Sequence, residues 1–203
     1  MLLPLVALCA VALACTPPAK EIQKTPYKTL GTDSSRNTQK AAECNARAVE
    51  LLKDNQVDAA EKELTEALTA DVFFGPAHNN LGTVYYRQKK YYLCAWEFQY
   101  AAKLMPNKAE PKGNLGMVFE AVGKTAEATK YYEEALTIEP DDIETAANLA
   151  RVLIAANRKD DRTRKLLDEI VMKDTRPQWV SWAKERLAIM GKPAATSQPV
   201  PEE

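Results

Sequence analysis

Three asparagines, Asn80, Asn114 and Asn148, recur at a constant interval of 34 positions (80 to 114, 114 to 148). An amide side chain donates and accepts hydrogen bonds at once, which suits it to holding polar groups rather than breaking bonds. Residue types that do break bonds are sparse. The chain has one histidine, His78, with no serine or cysteine at a recognisable spacing for a nucleophile. Of four cysteines, Cys9 and Cys15 lie in an apolar leader, Cys44 and Cys94 in the body, and no Cys-x-x-Cys pair occurs. A zinc site built from Cys and His is therefore close to excluded, and no metal or cofactor is expected. Asp141-Asp142 and Asp160-Asp161 read as helix-entry acids, favourable at a helix N-terminus, with too few oxygens for calcium. No acid/base pair, metal set or phosphate loop emerges, so the chain is not expected to be an enzyme.

The amides need a repeating element to carry them. Asn80-Leu81-Gly82-x-x-Tyr85 is followed by Tyr91, Phe98, Ala101 and Pro106. Asn114-Leu115-Gly116-x-x-Phe119 is followed by Thr125, Tyr132, Ala135 and Pro140, each 34 positions after its counterpart (Leu81 to Leu115, for example). This period and pattern resemble the tetratricopeptide repeat, a helix-turn-helix unit. The resemblance spans Ala41 to Met190 and is strongest in the middle two repeats. It implies an all-α, right-handed superhelical α-solenoid of antiparallel helix pairs, about nine helices with a capping element. The expected repeats are 41–74, 75–108, 109–142 and 143–175, with a cap helix at 176–190.

Particular residues sharpen the expectation. Gly82 and Gly116 let a neighbouring helix approach, and Tyr85 and Phe98 bury between helices at about 1.5–3 kcal/mol each. Gly123 ends a helix, where a left-handed residue is often needed. Cys94 takes a small-residue position in the second helix of its repeat, and Arg162 falls at the matching place in the fourth. Cys44 and Cys94 lie on helices that are not direct neighbours, so both thiols are expected free. His78 stands where the repeat often has Trp, which predicts packing. Trp179, Trp182, Ala183, Leu187 and Met190 form one apolar face at helical spacing, read as the solenoid cap, with a partner site built on the two Trp as the alternative.

In some tetratricopeptide proteins, such as the O-linked N-acetylglucosamine transferases, an asparagine ladder on the inner wall grips the backbone of an extended peptide. The resemblance places Asn80, Asn114 and Asn148 at that ladder. The alternative is that these amides bond only to neighbouring helices. A net hydrogen bond contributes about 0.5–1.5 kcal/mol, so three give at most ~4.5 kcal/mol, near a millimolar Kd. Flanking groove positions must add contacts; by family position these include Asn45, Thr83, Tyr86, Arg87, Met117 and Arg151. The carboxylate clamp that holds chaperone C-termini is not matched: its places read Asn45, Val49 and Gly113. The implied partner is a protein or peptide. A homo-oligomer joined through helix faces, including Trp179 and Trp182, is the competing reading to a monomer.

The ends of the chain set location. Residues 1–15 form a short apolar leader, below the about 20 residues a membrane-spanning helix needs. Ala12-Leu13-Ala14-Cys15 resembles the lipobox of bacterial lipoproteins, which implies lipidation at Cys15 and a membrane anchor made of acyl chains. Ala12 stands where Leu is usual, and no Lys or Arg precedes the apolar core. An ordinary secretory signal, or a soluble adaptor without an anchor, is the alternative. The resemblance places the protein in the cell envelope, on the periplasmic side of an outer membrane where one exists. Residues 16–40 and 191–203 are Pro/Ser/Thr-rich and read as a tether and a tail. Hydrophobic residues make up 46%, charged residues 27%, and net charge is -1. That composition fits a globular protein and argues against nucleic-acid binding, which usually shows a basic patch.

Overall fold

The computed structural model describes residues 36–191. Among these residues there are nine α-helices and no strand: α1 (Thr38–Lys53), α2 (Val57–Ala70), α3 (Gly75–Arg87), α4 (Tyr91–Leu104), α5 (Glu110–Ala121), α6 (Thr125–Ile138), α7 (Ile143–Ala155), α8 (Asp161–Lys173) and α9 (Pro177–Met190). Helix starts carry the chemistry expected of them. Asn37, Asp142 and Asp160 accept backbone N–H groups at the entries of α1, α7 and α8, satisfying donors the helix itself cannot. Pro76, Pro111 and Pro177 sit in the first turns of α3, α5 and α9, where the missing N–H is not needed.

Consecutive helices pack on each other, and each odd helix from α1 to α7 also meets the next odd one. Even helices make no comparable contact with one another. A stack whose odd helices crowd together and whose even helices splay must curve, with α1, α3, α5 and α7 on the inner wall. The buried core is continuous along the stack but falls into two clusters. One is centred on Leu64, Leu81 and Phe98, the other on Tyr132, Leu149 and Leu167, and Phe119 touches both.

Within a pair, size is matched across the helix crossing. A Cβ on Gly82 would lie 2.6 Å from the Phe98 ring, and one on Gly116 would lie 2.5 Å from the Tyr132 ring. At the matching places in the outer pairs stand Ala48 with Leu64, and Ala150 with Leu167, all four fully buried. Where the second helix carries an aromatic ring the first carries no side chain; where it carries Leu the first carries a methyl group.

The turns inside the pairs recur as faithfully. Asn55, Lys89, Gly123 and Asn157 all have positive φ (59°, 60°, 74° and 55°). Asn tolerates this region and Gly is free in it, whereas Lys89 holds it at a cost of about 1–2 kcal/mol.

Two boundaries differ from the sequence expectation. The folded part starts before residue 41: Thr38 opens α1, and Arg36 and Thr38 both bind Asp71 (2.9 Å and 2.8 Å). In the fourth repeat the small position is Thr163 rather than Arg162. Ala60, Cys94 and Ala128 are buried at a 34-residue interval (60, 94, 128), but the next buried small residue is Thr163. The link from Ala155 to Asp161 is longer than the one from Ala121 to Thr125, which slides α8 by one residue. Arg162 is thereby turned outward, where it binds Glu133 at 2.6 Å.

Candidate functional site

The inner wall is built from α1, α3, α5 and α7, and its amides form cross-helix rungs. The Asn80 amide donates to Asn45 Oδ1 at 2.8 Å, linking α3 to α1. One repeat on, Asn114 donates to Asn79 Oδ1 at 3.0 Å, linking α5 to α3. Asn79 in turn donates to Glu110 at 2.8 Å. Two of the three ladder asparagines thus spend their N–H groups on neighbouring helices, while Asn80 and Asn114 accept no hydrogen bond on Oδ1 among the described residues. Asn148 is different. It is only 9% exposed and makes no side-chain hydrogen bond among the described residues.

The flanking residues sort into wall and fastening. Thr83 donates its hydroxyl to the Asn79 carbonyl one turn back, at 3.2 Å, on a half-buried surface. Arg87 reaches across to donate to the Leu52 carbonyl at 2.7 Å, satisfying the end of α1. Tyr86 packs edge-on to Tyr91 with ring centres 5.8 Å apart, and burial, with Tyr91, Glu120 and Cys94 nearby, raises the pKa of its hydroxyl. Met117 is half-buried against the second core cluster.

Toward the far end of the wall the side chains lock together. Arg151 forks onto Glu120 with two bonds of 2.8 and 2.9 Å, and the Tyr132 hydroxyl donates to the same carboxylate at 3.0 Å. Glu120 raises the Arg151 pKa. The guanidiniums of Arg151 and Arg176 lie over the Trp179 ring at 5.4 and 5.3 Å, with Trp182 edge-on to Trp179 at 5.4 Å. The Trp pair of α9 therefore packs beside the end of the wall.

The other reactive residues are absorbed by the core. His78 is fully buried; its Nε2 meets the Val72 carbonyl at 2.8 Å and its Nδ1 meets Glu97 at 2.7 Å. A carbonyl can only accept, so Nε2 donates to Val72, and the short Nδ1–Glu97 contact holds a second proton between the imidazole and the carboxylate. This buried His78–Glu97 pair has no signature in the repeat pattern, because His78 stands at a position usually filled by a large packing residue. Burial pushes the Cys94 thiol up to about 12, which leaves it inert as a nucleophile. Cys44, Glu63 and Glu66 gather within 4.8 Å. Arg47 holds Glu63 and Lys40 holds Glu66, so a metal ion would first have to displace two cations. Cys44 and Cys94 are both free thiols.

A curved wall of helix pairs with its polar residues on the inner side defines a helical-repeat scaffold. Residues 120–181 match the family model of the tetratricopeptide repeat. That segment therefore carries tetratricopeptide repeats, and the 34-residue pattern of the sequence continues on both sides of it. Among curated relatives it is 26% identical over 148 residues to the uncharacterized protein ycf37 of Cyanophora paradoxa, spanning 70% of this chain and 82% of that one. Its fold is similar to that of pilF of Pseudomonas aeruginosa, with TM-score 0.68 and 24% identity over 77% of this chain and 69% of that one. It also superposes on the first such domain of Spaghetti (RPAP3) bound to the HSP90 peptide SRMEEVD, with TM-score 0.58, 24% identity, and coverage of 61% and 98%. The fold is one that supports protein–protein interaction.

Proposed function

We propose that this protein is an interaction scaffold of the cell envelope that holds an extended peptide segment of a partner along its inner wall. The observation that supports this most directly is the run of cross-helix amide rungs, Asn80 to Asn45 and Asn114 to Asn79. These rungs fix amide carbonyls at one repeat spacing, and an extended backbone offers N–H groups to match them. Tyr86, Thr83 and Met117 add half-buried surface beside the rungs. The envelope part of the reading rests on Cys15, in the lipobox-like Ala12-Leu13-Ala14-Cys15, which lies outside the described residues. The expected tether 16–40 and tail 191–203 lie largely outside them too. No helix among the described residues is long and apolar enough to cross a membrane, so attachment would come from acyl chains on that cysteine.

The test is capture of partners by the full chain against its triple variant Asn80→Ala, Asn114→Ala, Asn148→Ala. Capture should fall sharply. Two rungs are lost with the amides, so the melt should also drop, by about 1 kcal/mol per rung. Capture equal to that of the parent would remove the groove reading. Separately, Cys15→Ser should shift the protein from the membrane to the soluble fraction, and persistent membrane retention would defeat the anchor.

A further inference from the structure

The rungs of the wall fail at one place. Asn45, Asn79 and Gly113 share one register position (45 to 79 and 79 to 113 are each 34 steps). The first two accept the amides of Asn80 and Asn114. The third has no side chain, and the asparagine that would bind it is Asn148, nine-tenths buried and without a hydrogen bond among the described residues. In place of the missing side chain is a recess of about 270 Å³ between α5 and α7, lined by Asn114 and Asn148 together with Glu110, Glu139, Asp142 and Glu144. The Asn148 amide is not sealed from solvent; it lines a space that another molecule can enter.

Charge identifies the occupant. Four carboxylates line the recess and no Lys or Arg does. Glu110 is bound by the neutral Asn79 amide, and Asp142 caps α7 through Glu144 N–H, Thr145 N–H and the Thr145 hydroxyl. Neither is neutralised. Opposing this, the N-termini of α5 and α7 each contribute about half a positive charge, and Arg176 lies near enough to interact with Glu144 and Asp142. Arg176 is, however, already forked onto Asp174, and four negative charges outweigh the rest. The carboxylates do not draw together within 4.8 Å as Cys44, Glu63 and Glu66 do, so an elongated organic cation fits better than a metal ion.

We infer that this recess receives one lysine or arginine side chain of the bound peptide, with Asn148 Oδ1 as an acceptor and the surrounding carboxylates as counter-charge. The inference rests on the groove reading of the previous section and names the residue class that groove selects. The SRMEEVD peptide named with the Spaghetti domain is acidic overall but carries one arginine, so the control peptide must lack it.

The experiment pans the full chain against displayed random nonapeptides, with fluorescein-labelled SQMEEVD, the acidic peptide stripped of its arginine, as a control probe. Winners should carry Lys or Arg at one fixed position. Replacing that residue by Gln in a labelled winner should weaken binding by roughly tenfold, the scale of one charge-assisted hydrogen bond. The same replacement should have little effect on the double variant Glu110→Gln, Glu144→Gln, or on Gly113→Asn, which restores the missing rung. A Cβ at 113 would lie 3.3 Å from Thr145 Oγ1, so if Gly113→Asn melts early the size-preserving Gln variant decides. Winners that depend on Asn80 and Asn114 but show no basic preference, or tighter binding of SQMEEVD than of basic peptides, would overturn the inference and leave the groove standing. Absence of any winner would remove both.

Discussion

The middle of the stack and its far end solve one packing problem in two ways. In α3–α4 and α5–α6 a ring, Phe98 or Tyr132, fills the crossing, and Gly82 or Gly116 yields all its space. In α7–α8 the crossing is Ala150 against Leu167, smaller on one side and larger on the other. The far end also departs in register, and α8 packs more extensively against α9 than against α7. Middle crossings are thus specified by a ring that admits one neighbour, while the last pair depends on caps, ion pairs and the final helix. The difference shows that a repeat is kept by the volume shared across its crossing, and not by any single conserved letter.

The strongest way to break the comparison is Gly116→Val. The new side chain meets the Tyr132 ring where even a Cβ would come within 2.5 Å, so urea unfolding should show a loss of about 2–3 kcal/mol. Adding Tyr132→Leu, which converts a middle crossing toward the outer kind, should recover part of that loss. A second substitution that deepens the loss would show that the crossing is not volume-matched.

Next in size is the capped entry of the last pair. Asp160→Ala should destabilise the protein by about 1 kcal/mol. The Thr163 N–H, its hydroxyl and Arg158 hold the Asp160 carboxyl down to about 2. Its folded pKa is below its unfolded one, so its stabilisation is complete above the ordinary carboxylate range and fades as pH falls towards about 2. The variant should therefore lose less stability than the parent between pH 4 and pH 2, on the order of the cap itself; parallel curves in an acid titration of the melt would contradict this.

The smallest effect concerns the turns. Lys89 holds φ 60° where the third pair has Gly123. Lys89→Gly should stabilise by about 0.5–1 kcal/mol, whereas Asn55→Gly should change the melting temperature little, since Asn already tolerates that conformation.

Much of the fold was legible in the sequence because the features that build it repeat. Leu81 and Leu115, the glycines opposite the rings and the left-handed Gly123 each declare a place in the crossing, and all are buried or turned as their positions demand. The slip at Thr163 was not legible, since Arg162 continued the 34-residue count and only the longer link before α8 betrays the shift. The early start at Thr38 escaped because it rests on the Asn37 cap and on contacts with the distant Ala70 and Asp71, and not on the repeat pattern. Of the site, the positions of the amides could be counted. Whether they faced a ligand or one another could not, because that depends on distances of about an ångström across helices. The substitution of Gly113 in the Asn45–Asn79 column was visible as a letter; its meaning needed the empty space beside Asn148.

Asp71, 1% exposed, sits at the junction of α2 and α3 and is gripped by Arg36 and Thr38, among the first of the described residues. Burial alone would raise its pKa, yet these partners and the Phe73 N–H bring it below the ordinary carboxylate range. A pull applied at Arg36 therefore loads a charged latch before it loads the hydrophobic core. Protonating that one carboxylate would loosen the hold.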